Sequence, residues 1–430
     1  MNNKPQSTTE AGKESTHAQH GAALPLFDVV IIGAGSAGIA TAASLKKRRP
    51  ETRVALIDPA DRHYYQPGWT MVGGGVFDAS STEQKMQDLI PSGVEWIRAS
   101  VGAFNTTDNA VVLSNGRSVA YRQLIVAAGL SLNWSAVEGL SETLGRNGVT
   151  SNYRYDLAPY TWQLVQGLQG GNALFTQPAM PIKCAGAPQK ALYLSADHWL
   201  KQGTLKDINI HFFNAGAALF GVADYVPALQ SYIDKYKTSL HYTHTLVRVD
   251  GSRKKAWFAS KDDEGFDVET IVDFDMIHVC PPQCAPAFIS DSVLADPAGW
   301  CDVDPNTLRH TRIDNVWGLG DVTNTPNAKT MAAARKQAPV VAQNLVDVLN
   351  GGAPSAAYDG YGSCPLTVER GKSVLAEFSY GGVVTPTFPR WINDGTQPTR
   401  LAWFLKAQIL PSLYWHGMLK GREWLAASSA

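Results

Sequence analysis

Val29-Val30-Ile31-Ile32-Gly33-Ala34-Gly35-Ser36-Ala37-Gly38-Ile39-Ala40 decides the fold of this chain. The first four residues are uncharged and β-branched, as a strand covered on both faces of a parallel sheet must be. The glycines follow at once, and residues 39–47 read as a helix. Gly33 permits the tight turn, Gly35 lets the backbone approach a pyrophosphate, and Gly38 lets the helix pack close to the strand. Ser36 and Ala37 open that helix, whose N-terminus then faces the phosphates. The next strand, residues 53–57, ends in Asp58, twenty residues after Gly38, where a carboxylate can bind ribose hydroxyls. The combination marks a dinucleotide site.

Outward from this turn, the chain is 430 residues long, enough for two or three domains. Its 37 basic and 38 acidic residues leave a net charge of −1, which carries no nucleic-acid footprint. Charged residues make up only 17%, while 12 Trp, 15 Tyr and 14 Phe call for large aromatic-lined surfaces. Five cysteines do not form a secreted disulfide framework. No run of 18 apolar residues spans a membrane. Residues 1–26 are read as a disordered tail: the stretch is polar, has no signal-peptide core, and carries Glu10 and Glu14 without a balancing arginine.

Further on, Leu124-Ile125-Val126-Ala127-Ala128-Gly129 is a second buried strand ending in small residues, where a chain can pass close to a ligand. Asn315-Val316-Trp317-Gly318-Leu319-Gly320-Asp321 repeats that form, with Asp321 expected at the start of a downstream helix and free to bind a ribityl hydroxyl. These three segments, in this order, resemble the two-dinucleotide-domain flavoproteins of the disulfide-reductase superfamily. The resemblance implies FAD on the first fingerprint, with the late Gly-Asp segment closing over its ribityl chain. The second fingerprint, for a nicotinamide cofactor, is missing. The strand at residues 172–175 runs into Gln177-Pro178-Ala179-Met180-Pro181-Ile182-Lys183-Cys184, and prolines cannot form the phosphate turn as glycines would. A second strand, residues 208–213, meets only Asn214-Ala215-Gly216. Electrons must therefore arrive from another donor.

Cys184 stands where nicotinamide phosphates would otherwise bind, and Cys364 stands in Tyr361-Gly362-Ser363-Cys364-Pro365. Small residues and proline flank both, as around accessible loop thiols. Lys183 beside Cys184 can favour a thiolate. The segments 181–190 and 361–365 resemble those of the sulfide:quinone oxidoreductases, in the two-cysteine, mitochondrial-type branch. Tyr64-Tyr65-Gln66-Pro67, residues 90–96 and Ala376-Glu377-Phe378 are similar too, and the likeness runs from residue 27 to residue 421. It implies that sulfide opens a disulfide or sulfur-bridged link between Cys184 and Cys364. Cys364 then keeps the sulfane sulfur, while the released Cys184 thiolate reduces the flavin. A membrane quinone, ubiquinone or another, reoxidises it, and a small sulfur acceptor (thiol, sulfite or sulfide) removes the sulfur. His278, Cys280, Cys284 and Cys301 could be written as a zinc set, but Pro281 and Pro282 argue for structural thiols, and no metal is assigned.

On the quinone side, Lys329 precedes Thr330 and the helix 331–349, whose N-terminus can stabilise negative charge on a reduced flavin. Lys329 is also expected to supply a proton to the quinone, and Phe378 to stack on its ring. Residues 401–419 read as two short amphipathic helices divided by Pro411, with Lys406, Lys420 and Arg422 as a basic rim. The expected fold class is α/β: a discontinuous FAD domain (27–135 and 280–349), a second, degenerate Rossmann-like domain (136–279), and a membrane- and quinone-contacting segment (350–430). Gln66, Ala128, Gly129, Gly320, Asp321, Lys329 and Thr330 join the glycine turn and Asp58 as cofactor residues. The expected placement is peripheral, on a bacterial inner membrane facing the cytoplasm. The competing readings are an NADH:quinone oxidoreductase and a soluble sulfide dehydrogenase with a cytochrome partner.

Overall fold

The computed structural model describes residues 25–426; residues 1–24, the bulk of the expected tail, lie outside them. The strand of the opening motif is β1 (Leu26–Ile32), and Val29, Val30 and Ile31 are completely buried. The glycine turn leads into α1 (Ser36–Arg48), and the ribose strand is β2 (Val54–Ile57). Val94–Ile97 forms β3, Val101–Asn105 β4, Ala110–Leu113 β5 and Ser118–Val126 β6. Their sheet runs β3-β2-β1-β6-β5-β4. β1, β2, β3 and β6 are parallel, while β5 and β6 form an antiparallel hairpin around Asn115-Gly116.

The second sheet is built from β7 (Val149–Thr150), β8 (Gly171–Gln177), β9 (Ile208–Asn214) and β10 (Ser239–Tyr242). After an antiparallel trio, β11 (Thr245–Asp250), β12 (Lys255–Lys261) and β13 (Asp267–Asp273), the chain returns as β14 (Met276–His278). The order is β7-β14-β8-β9-β10, parallel throughout, with α2 (Ala187–Gln202) between β8 and β9. This is a doubly wound sheet in which the segment 178–186 replaces the phosphate turn.

The chain then rejoins the first sheet. β15 (Val316–Gly318) pairs in parallel with β6 and leads to α3 (Met331–Leu349), which packs along α1. A hairpin of β16 (Gly362–Glu369) and β17 (Lys372–Phe378) lies against α2, and so returns to the second domain.

Four expectations need correction. Asp321 does not open a helix: it sits in a single 3-10 turn, Gly320–Val322, well before α3. Cys364 is not a loop thiol but lies within β16 at 3% exposure, because its residues pair with β17 and cover α2. Pro411 does not divide two helices. Residues 400–420 wind continuously, with π turns at Leu405–Ile409 and Leu413–Gly417 on either side of a short α turn, so the proline's missing N–H is absorbed. Nor does Lys406 belong to a basic rim: it is 2% exposed and donates to the Pro67 carbonyl at 3.0 Å. The apolar residues of this segment split into two groups. Tyr414, Trp415, Met418 and Leu419 complete the first domain's core, whereas Leu401, Phe404 and Ile409 remain 37–50% exposed. Among the described residues no helix is long and apolar enough to cross a membrane.

Candidate active site

The glycine turn has the shape that a dinucleotide requires. Gly33 adopts φ +97°, and a Cβ there would fall 2.4 Å from the Ala127 carbonyl oxygen. A Cβ on Gly38 would fall 1.8 Å from the Gly33 oxygen, while Gly35 faces open space. Asp58 is brought to the turn: one carboxylate oxygen accepts from the Ala34 N–H at 2.7 Å and the other from Ala60 N–H at 2.8 Å. Gly129 (φ +69°) also faces open space just beyond β6, after Ala128. Gly320 (φ +77°) lies with Ala37 at 3.1 Å from where its Cβ would be. Two Gly-ended strands and one Gly-Asp turn thus meet the N-terminus of α1, as an FAD cradle demands. Thr330, assigned to the cofactor, caps α3 by accepting from Ala333 N–H at 3.1 Å. Gln66 accepts a hydrogen bond from the Lys183 ammonium.

Two segments 180 residues apart bring the sulfurs together: Cys184 Sγ and Cys364 Sγ are 3.6 Å apart. Cys184 takes a left-handed conformation, φ +51°, and its N–H donates to the Lys329 carbonyl at 2.8 Å. The same pairing joins Lys183 to Lys329, so the cysteine loop is stitched to the Gly320–Thr330 segment. Tyr153 holds the loop from the other side, donating to the Lys183 carbonyl at 3.2 Å.

Lys190 gives the pair its polarity. It is 2% exposed, in the first turns of α2, and its ammonium donates to Cys184 Sγ at 3.1 Å. A hydrogen bond from the Cys364 thiol and then, against the cost of burial, the charge on Lys190 hold Cys184 well below the ordinary thiol range. Cys364 is pushed well above it by its role as donor to Cys184 and by burial. Burial alone would lower Lys190, but the two sulfurs outweigh it and keep the ammonium charged. Lys406 approaches the same group, and burial followed by repulsion from Lys190 brings it down to about 7. Sequence reasoning passed over Lys190 and misplaced Lys406. The spacing from Cys184 through the first turn of α2 was the one available signal for Lys190.

Lys329 is buried, donates to the carbonyls of Asp321 at 2.8 Å and Thr323 at 2.7 Å, and lies 3.9 Å from the Trp300 ring centre. Burial lowers it to about 8, with Asp321 pulling the other way. Burial also raises the Asp321 carboxyl, against the attraction of Lys329. Phe378 ends β17 beside Gly362, whose Cβ position is 3.5 Å from Ala328, and its ring meets Phe220 edge-on at 6.0 Å. Phe378 is therefore one residue removed from the Lys329 segment.

Of the remaining cysteines, Cys280 lies in a small apolar cluster with Tyr153 and Ile182, against which Cys184 packs, and Cys301 lies in the first domain's core. Cys280 and Cys301 are buried and pushed up to about 12 by that burial, while Cys284 is exposed. His278 accepts from the Asn152 N–H at 2.9 Å.

A doubled dinucleotide fold with a polarised thiol pair at the domain junction defines a flavoprotein of the disulfide-reductase type. In agreement, residues 27–161 match the pyridine nucleotide-disulphide oxidoreductase family. The mitochondrial sulfide:quinone oxidoreductase of Dictyostelium discoideum is 40% identical over 92% of this chain and 86% of its own. That of Mus musculus is 39% identical over 92% and 87%. The sulfide:quinone oxidoreductase structure from Aquifex aeolicus superposes with a TM-score of 0.76 at 18% identity, over 93% of this chain and 92% of its own. The chain belongs to the sulfide:quinone oxidoreductase family.

Proposed function

We propose that this enzyme oxidises hydrogen sulfide to sulfane sulfur at Cys184 and Cys364 and passes the electrons to a membrane quinone. FAD is the cofactor. Gly33, Gly35, Ser36, Ala37, Gly38 and Asp58 would hold its dinucleotide end, and Ala128, Gly129, Gly320 and Asp321 would line the rest. When bound, FAD accepts an electron pair from the sulfur side and hands it to quinone.

The observation that carries this reading is the unequal environment of the two sulfurs. In a bridged pair, HS⁻ attacks one sulfur and the other leaves with the bonding electrons. The thiol of lower pKa leaves more readily. Lys190, 3.1 Å from Cys184 Sγ, makes Cys184 that leaving group. Attack therefore falls on Cys364: a new S–S bond forms there, the Cys184–Cys364 bond breaks, and the electron pair remains on Cys184 as a thiolate. Cys364, buried in β16, shelters the persulfide until a thiol, sulfite or second sulfide removes its outer sulfur. Lys329 supplies positive charge, and a proton, on the side where reduced cofactor meets quinone, with Phe378 as an aromatic wall.

The exposed side chains of Leu401, Phe404 and Ile409 form the surface that would rest on a bilayer. The relatives from Dictyostelium discoideum and Mus musculus are mitochondrial, and the bacterial inner-membrane placement facing the cytoplasm finds no support in them. The test is an anaerobic sulfide titration of the purified protein. Wild-type flavin should bleach with sulfide and recover with quinone, and Cys184→Ser flavin should stay oxidised. Bleaching of Cys184→Ser at the wild-type rate would overturn the proposal.

A further inference from the structure

Tyr414 connects the C-terminal segment to the glycine turn. It is 1% exposed, and its hydroxyl lies 2.7 Å from Ser36 Oγ and within hydrogen-bond reach of His63 Nε2. His63, 4% exposed, places its other nitrogen 3.0 Å from the Ala34 carbonyl oxygen. The chemistry of the groups fixes the direction of this chain. A carbonyl only accepts, so Nδ1 of the neutral, buried imidazole carries the proton and Nε2 accepts from the Tyr414 O–H. The tyrosine oxygen then accepts from the Ser36 hydroxyl. Ala34 and Ser36, on either side of Gly35 in the phosphate turn, are thereby tied to Tyr414, 378 positions beyond Ser36.

The chain beyond Tyr414 lies across α1 itself. Gly421 packs so closely that a Cβ there would be 2.9 Å from the Ala43 backbone, and its carbonyl accepts from the Lys47 ammonium at 2.9 Å. Glu423 accepts from Arg48 through both oxygens, at 2.6 and 2.9 Å, and from the Ser44 hydroxyl at 2.6 Å. The segment thus grips the dinucleotide helix at its N-terminus and along its last turns.

We propose that residues 414–424 are a strap belonging to the FAD site, holding the Ala34–Ser36 turn in its binding conformation, so that cofactor retention depends on a docked C-terminus. The proposal rests on FAD occupying the Gly33–Gly38 cradle. The coupling is reciprocal: if the strap strengthens FAD binding, FAD must hold the strap down by the same factor. Cutting the chain at Leu401 would then cost the protein its flavin as well as its exposed apolar face.

The test uses the FAD-loaded protein and two variants. Tyr414→Phe keeps the ring but leaves His63 Nε2 buried without a donor, and should release FAD roughly five- to tenfold faster on dilution, read by recovery of flavin fluorescence. Glu423→Gln loosens the strap away from the cradle and should also accelerate release. Limited proteolysis within residues 421–426 should quicken when wild-type protein is stripped of FAD. Wild-type retention in both variants, or equal proteolysis with and without FAD, would overturn the strap. If Tyr414→Phe does not fold, Glu423→Gln and the proteolysis decide. Wild-type protein that binds no FAD would instead overturn the cofactor reading, and the strap with it.

Discussion

Replacing Lys190 by methionine should undo the polarity of the cysteine pair. The ammonium lies 3.1 Å from Cys184 Sγ and is almost fully buried, so the pair is poorly screened. Opposite unit charges at that separation attract by about 5 kcal/mol at an effective dielectric of about 20. That attraction favours the Cys184 thiolate, in the same direction as the hydrogen bond from Cys364. Methionine fills similar volume without a charge and leaves no polar group unpaired. In a Cys364→Ser background, which removes coupling between the sulfurs, the pH at which Cys184 becomes half-reactive towards an alkylating agent should rise clearly in Lys190→Met. Lys190→Arg should stay close to wild type. With both cysteines present, sulfide-driven flavin reduction should slow at least tenfold, because Cys184 becomes the poorer leaving group. An unshifted alkylation profile in a folded, flavin-loaded Lys190→Met protein would refute the assignment of Cys184 as the thiolate.

Lys329, lowered to about 8 by burial, should lose its proton above that pH, so quinone-driven flavin reoxidation should decline there in a stopped-flow pH series. Lys329→Met should be slow at every pH, and a flat wild-type profile through pH 9 would count against the assigned role. Lys406, lowered to about 7, binds fewer protons folded than unfolded between about 7 and its ordinary value of 10.5. Stability should therefore rise with pH across that window in wild type and less so in Lys406→Met, by a difference on the order of a few kcal/mol in denaturant titrations. The double substitution Leu401→Asp/Phe404→Asp, at side chains 37% and 50% exposed, should weaken liposome binding about tenfold or more while FAD content is unchanged. Equal sedimentation with liposomes would remove this face from the membrane contact.

What could be read from the sequence alone was whatever depends on near neighbours. β1, its glycine turn and α1 were legible because tight turn, phosphate approach and helix packing are each demanded of one residue within a six-residue frame. The limits of α3 were legible because Thr330 caps one end and the apolar period persists to Leu349. The missing nicotinamide turn was visible as prolines and a cysteine where glycines belong. The pairing of Cys184 with Cys364 came from resemblance, since a separation of 180 positions carries no spacing rule. Tertiary structure alone decided the rest. A helical pattern reports only which residues share a face, not what covers that face. So Lys406 passed for a rim residue, although the π turns rotate it inward onto Pro67. Tyr414 passed for membrane-facing, although the first domain offers Ser36 and His63 to its hydroxyl. The charge that polarises Cys184 depends on a distance of 3.1 Å to Lys190 inside a water-poor interior, and electrostatics of that strength exist only once the chain has folded around them.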